Sequence, residues 1–120
     1  QGFRVVPAEE CWYKSLAPLM AEVREKLGDG PVYLSFDIDG IDPAFAPGTG
    51  TAEIGGLTST QGIEIIRGMR GLDVVGGDLV EVSPPYDPFG NTSVLAANLL
   101  FEMLCILPGV RYDDKVKAVY

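Results

Sequence analysis

The stretch V-Y-L-S-F-D-I-D-G-I-D-P, Val32 to Pro43, joins a run of strand-forming apolar residues to three aspartates, Asp37, Asp39 and Asp42. Val32 to Ile38 predicts a strand whose apolar character is nearly unbroken, as in a parallel strand covered on both faces. The aspartates come at its carboxyl end. A buried carboxylate without a partner costs too much to keep, so a cluster here must be solvated, hydrogen-bonded or matched by a cation. Side chains alternate along a strand, which places Asp37 and Asp39 on one face while Ile38 turns into the core. Two carboxylates so placed form a chelate for a hard or borderline ion such as Mg²⁺, Ca²⁺ or Mn²⁺. The competing reading is that the aspartates cap loop turns around Gly40 and Pro43, and Asp42, directly before the proline, suits that role best.

Working outward, Phe3 to Val6 reads as a short strand ended by Pro7. Ser15 reads as the N-cap of a helix to about Leu27, with Pro18 in its first turn and Gly28 as its stop. Residues 40–57 form a long Gly/Pro/Thr loop. Thr58 with Gln61 predicts a capping box opening a helix to about Arg70, apolar at Ile63, Ile65, Ile66 and Met69 and closed by Gly71. Leu72 to Val82 is a second buried strand, interrupted by Gly76 and Gly77, followed by the loop S-P-P-Y-D-P-F-G-N and an apolar helix from about Thr92 to Leu107. The tail after Pro108 is polar and expected to fray.

Helix, strand, helix, strand, helix is the pattern of an α/β layered fold with a parallel sheet. Ligands of such sheets sit beyond the carboxyl ends of the strands, so Asp37 to Asp42 and Glu81 to Asp87 are expected to face one crevice.

Composition narrows the functions available. With 120 residues and 47% hydrophobic content, the chain suits one compact domain or a piece of a larger one. Seventeen acidic against nine basic residues give a formal net charge of -8, which repels nucleic acid and anionic lipid and favours cations. No apolar run reaches the roughly 18 residues of a membrane span, and no secretion signal opens the chain. Cys11 and Cys105 have no paired spacing and read as two reduced thiols. There is no histidine, which removes the commonest general base and nitrogen ligand and leaves carboxylates to carry the chemistry. Because it starts at Gln1 rather than methionine, the sequence is expected to begin partway through a longer protein, with any targeting segment upstream.

Three known patterns compete for the aspartates. A calcium-binding EF-hand loop needs glycine sixth and glutamate twelfth, where this chain has Asp42 and Gly48, and that reading fails. A haloacid-dehalogenase-type phosphatase motif, D-x-D-G-T, finds Ile41 in place of threonine and stays a distant alternative. The third match is longer. From Ser35, S-F-D-I-D followed by Pro43, Pro47-Gly48 and Gly56 resembles the signature of the ureohydrolases, the arginase and agmatinase family. The resemblance extends through "GFRVV", "AEECW", "PLMAEVREKLG", "APGTGT", "EIIRG", "GGDLVEVSPPYDP" and "AANLLFEMLC", over essentially the whole chain and nearest the agmatinase branch.

The resemblance implies a three-layer α/β/α fold with a parallel sheet, of which residues 1–120 form the carboxyl-terminal part, assembling as a trimer or hexamer. It implies hydrolysis of a guanidinium group to urea and an amine with water activated by two Mn²⁺ ions. Agmatine, giving putrescine and urea, is the leading substrate; a guanidino acid is the rival, and a catalytically inactive fragment or isoform is a further alternative. Carried over by position, Asp37 bridges both ions, Asp39 binds one, and Glu81 pairs with the substrate guanidinium in a charge-assisted two-point contact. Asp78 receives no catalytic role and is expected to face away from Glu81. Thr49 and Thr51, among the glycines of the loop, are expected either to line the pocket mouth or to belong to a flexible loop. Ala52 stands where the family usually has proline, which loosens that loop. The family's other ligands, two histidines and two aspartates, and its proton-shuttle histidine belong to upstream motifs that this chain lacks. The chain alone is therefore expected to be inactive. The resemblance implies a mitochondrial location in an animal and a cytoplasmic one in a bacterium, and the acidic charge argues against a nucleic-acid or membrane partner.

Overall fold

A computed structural model of the chain describes residues 2–111. Three helices and two strands alternate: α1 (Ala17–Leu27), β1 (Pro31–Asp37), α2 (Ser59–Gly68), β2 (Asp73–Val80) and α3 (Asn91–Cys105). The two strands pair in parallel, with Pro31 opposite Asp73 and Asp37 opposite Val80. The α/β class with a parallel sheet is thus observed. The register slips between Val32 and Tyr33, where the partner of Val32 is Val74 and that of Tyr33 is Gly76. Gly77 explains itself in this setting, because a Cβ there would lie 2.7 Å from the Leu34 carbonyl oxygen.

The anticipated Phe3–Val6 strand does not form. Phe3 and Val5 are exposed and no strand among the described residues offers them a ladder, while Arg4 instead reaches Glu22 of α1 at 2.8 Å. Ser15 is not the N-cap either: Leu16 holds that position, and the Ser15 hydroxyl accepts the Ala17 N–H at 3.1 Å from one residue further out. The Leu16 N–H donates to Glu64 of α2 at 2.8 Å, so one helix start is satisfied by a side chain of another. By contrast the Thr58/Gln61 capping box is present in full, with Gln61 N–H on Thr58 Oγ1 at 3.1 Å and Thr58 N–H on Gln61 Oε1 at 3.0 Å. Gly28 and Gly71, with φ of 59° and 85°, follow the ends of α1 and α2 as expected.

Ile38, Ile41, Ile66 and Leu99 are fully buried, with Met20, Phe36 and Met103 packed around them. Helix α2 lies between α1 and α3, and α3 rests on β2. A bidentate pair from Arg67 to Glu102, at 2.6 and 2.9 Å, ties α2 to α3. Cys11 and Cys105 are free thiols.

One expectation about β1 is corrected. Val32 and Phe36 are buried, but Tyr33, Ser35 and Asp37 on the alternate face are exposed, Tyr33 by 62%. The described helices cover only the Val32 and Phe36 face, so the strand is sealed on one side. The polar tail beyond Pro108 lies largely outside the described residues. No helix among the described residues is long and apolar enough to cross a membrane.

Candidate functional site

The parallel register sets the site. Because Asp37 pairs with Val80, Glu81 follows directly at the same end of the sheet. The carboxyl ends of β1 and β2 thus bring both loaded loops to one end of the sheet. Their contact is direct, since the Ser83 N–H donates to the Gly48 carbonyl at 2.7 Å.

The strand itself ends at Asp37, and residues Ile38–Gly40 turn into a single 3-10 turn. Asp37 caps that turn by accepting the Asp39 N–H on Oδ1 at 3.0 Å. Strand alternation therefore stops before Asp39, and the simple argument that put both aspartates on one face does not apply. What holds them together is the cap. Ile38 does enter the core, with no exposed surface.

Asp39 has partners that spacing alone does not reveal. The Thr49 hydroxyl donates to its Oδ1 and the Thr51 hydroxyl to its Oδ2, so a loop residue holds each oxygen of the carboxylate. Thr49 is buried, Thr51 exposed. The anticipated pocket-mouth threonines are thus the orienting shell of one aspartate. Asp42 is a turn residue, as its place before Pro43 suggests: it accepts N–H groups from Ala44 and Gly55, both at 2.8 Å, which hold its carboxyl below the usual range.

Glu81 lies one residue beyond β2 with φ of 66°, a left-handed conformation costly for a residue with a Cβ. The alternation that would turn Asp78 away from it is broken at that point. Asp78 has its own role, accepting the Tyr33 hydroxyl at 2.7 Å and the Ser35 hydroxyl at 2.8 Å, which together lower its pKa. These bonds cross-link the two strands just before the site.

A further buried network was not foreseen. Asp87, 5% exposed, accepts N–H groups from Thr92 at 2.5 Å and Gly90 at 3.1 Å, and Thr92 foremost holds its carboxyl well below the usual range. The fully buried Thr92 accepts the Gly48 N–H on Oγ1 at 2.8 Å. Only the placement of Asp87 ahead of a helix start hints at this in the sequence.

Carboxylate oxygens at Asp37 and Asp39 suit a divalent ion of the Mg²⁺ or Mn²⁺ kind, and each oxygen keeps a lone pair after accepting its single N–H or hydroxyl. The donor set is short, however, because no group of three or more His, Cys, Asp or Glu gathers among the described residues. A hollow of about 860 Å³ between α1 and α2 contains none of these carboxylates.

A family model described as the arginase family matches residues 1–105. This chain belongs to the arginase family. It is 80% identical over 110 residues to the guanidinobutyrase of Pseudomonas aeruginosa, covering 92% of this chain and 34% of that protein. It is 74% identical over 111 residues to the mitochondrial agmatinase of Gallus gallus, covering 92% of this chain and 33% of that protein. The X-ray structure of a hypothetical agmatinase from Burkholderia thailandensis superposes with a TM-score of 0.83 at 41% identity, over 88% of this chain and 33% of that one. The chain thus has the arginase-type α/β fold and spans about a third of the length of the curated relatives it matches.

Proposed function

We propose that this chain is the carboxyl-terminal part of a single ureohydrolase domain that hydrolyses a small guanidino compound to urea and an amine. Family membership carries the reaction class, and the Asp37, Asp39 and Glu81 constellation at one end of the sheet carries its local assignment. Asp37 and Asp39 would hold two Mn²⁺ ions together with donors from outside this chain. Bound there, the ions supply a water of lowered pKa and a Lewis acid near neutral pH.

The chain's own residues do the rest by orientation. Thr49 and Thr51 fix both oxygens of Asp39, so that carboxylate presents its remaining lone pairs in one direction. Glu81 accepts two N–H groups of the planar guanidinium and aligns its carbon toward the aspartates. Its carboxylate also keeps the guanidinium protonated, which makes the carbon a better electrophile.

Agmatine is the first candidate substrate, in keeping with the acidic charge of the chain. A guanidino acid is the second, favoured by the higher identity to the guanidinobutyrase. The two differ at the far end, an amine against a carboxylate, beyond the reach of the Glu81 contact. Trimeric or hexameric assembly is proposed on family grounds, as is a mitochondrial location in an animal and a cytoplasmic one in a bacterium.

The experiment is Asp37→Ala in the intact protein, assayed for bound manganese and for urea release from agmatine and from 4-guanidinobutanoate. Manganese content and urea release should fall together, and the unsubstituted protein should prefer one substrate clearly. Full manganese with full urea release in the variant would sink the ligand assignment.

A further inference from the structure

We infer that Thr92 and Asp87 are positioning residues for Asp39, acting through the loop that carries Thr49 and Thr51. This rests on the reading of Asp39 as a metal ligand and extends it to residues at the start of a different element. Asp87 is buried and committed to backbone N–H groups at the start of α3, Thr92 among them. Thr92, with no exposed surface, turns its hydroxyl outward from the helix to accept the Gly48 N–H at 2.8 Å. Gly48 is the residue before Thr49, so this bond, together with the Ser83 N–H on the Gly48 carbonyl, holds the loop against the start of α3 where the two threonine hydroxyls meet Asp39.

The packing is as specific as the bonding. A Cβ on Gly48 would lie 2.8 Å from both Asp87 Cβ and Thr92 Oγ1, so the loop touches the helix start with no room between them. The buried part of the chain of contacts is committed, Asp87 to the Thr92 N–H and Thr92 to the Gly48 N–H, and the loop beyond it places the Thr49 and Thr51 hydroxyls on Asp39. Fully satisfied buried networks rigidify what they join. Side chains that orient a metal ligand in this way typically change metal affinity by about 10- to 100-fold when removed.

The test uses the intact protein and three variants, Thr92→Val, Thr92→Ser and Asp39→Ala. Valine keeps the volume of threonine and removes the acceptor; serine keeps the acceptor. Mn²⁺ affinity is read by competition with a chelator, and the melting temperature is taken on metal-free protein. The expected result is Mn²⁺ binding about tenfold weaker in Thr92→Val, within about threefold of the parent in Thr92→Ser, with urea release at low Mn²⁺ recovering as the ion is added. A merely structural role would lower the metal-free melting temperature and leave the affinity of the folded fraction unchanged, and that outcome overturns the proposal. Parent-like affinity in Thr92→Val, alongside loss in Asp39→Ala, overturns it while the ligand reading stands. Parent-like affinity in Asp39→Ala overturns the ligand reading itself and the proposal with it. Should Thr92→Val fail to fold, hydrogen exchange at the Gly48 amide of the unsubstituted protein decides: protection matching α3 sustains the lock, and exchange at an open-loop rate overturns it.

Discussion

At the scale of single residues, Glu81 concentrates the most chemistry in the least sequence. Its left-handed backbone, φ 66°, interrupts the alternation of β2 and re-aims the side chain where the strand ends. A glycine would adopt this conformation without strain, so a glutamate there carries a backbone cost, as the proposed use of its charge requires. Glu81→Gln keeps the backbone cost and the shape while removing the charge. In the intact protein it should lower kcat/KM by about 10- to 100-fold, the loss expected for a charge-assisted hydrogen bond worth about 1.5–3 kcal/mol, with the melting temperature unchanged. Activity within twofold of the parent would show that another group holds the guanidinium. Asp37, Asp39 and Glu81 were legible as carboxylates at strand ends, because strand polarity and residue type are both written locally. The threonine partners of Asp39 were not, since they depend on how a loop of nearly twenty residues folds back.

Elements tell a similar story with a different boundary between what is local and what is not. The α2 capping box was readable because its two halves, Thr58 and Gln61, are three residues apart and satisfy each other. The start of α1 is not legible in its own residues because its partner, Glu64, comes from another helix. Phe3–Val6 has strand-forming residues but no neighbour to pair with among the described residues, and a strand needs its neighbour. The Arg67–Glu102 pair that joins α2 to α3 yields a pH prediction. Arg67 lowers the pKa of Glu102 in the folded state, so the pair contributes stability that is fully present above the ordinary glutamate range and is lost as pH falls through the lowered value. Glu102→Gln should cost about 1 kcal/mol at pH 7, a modest value because the Arg67 side chain is 36% exposed. On acidification the parent and the variant should converge. Thermal melts of the intact protein between pH 7 and pH 3 check this, and a gap that widens toward acid would reverse the assignment.

For the molecule as a whole, the decisive property is the mismatch between what it buries and what it leaves open. The core around Ile38, Ile66 and Leu99 seals one face of β1, yet Tyr33 on the other face is 62% exposed. Phe101 and Leu104 of α3 are exposed as well. Each strand of the two-stranded sheet also has one ladder edge unpaired among the described residues. Open ladder edges and apolar side chains of this kind seek partners, and a family whose curated members are about three times as long can supply them within one domain. Expressed without the rest of such a domain, the chain should bind a hydrophobic dye strongly, sediment as concentration-dependent aggregates near neutral pH, and melt without a sharp transition. The net charge of -8 should slow that association at low salt and permit it as salt screens the repulsion. A cooperative melt with a monomeric sedimentation profile at both salt concentrations would mean that two strands and three helices suffice, and that the open face is a stable surface in its own right.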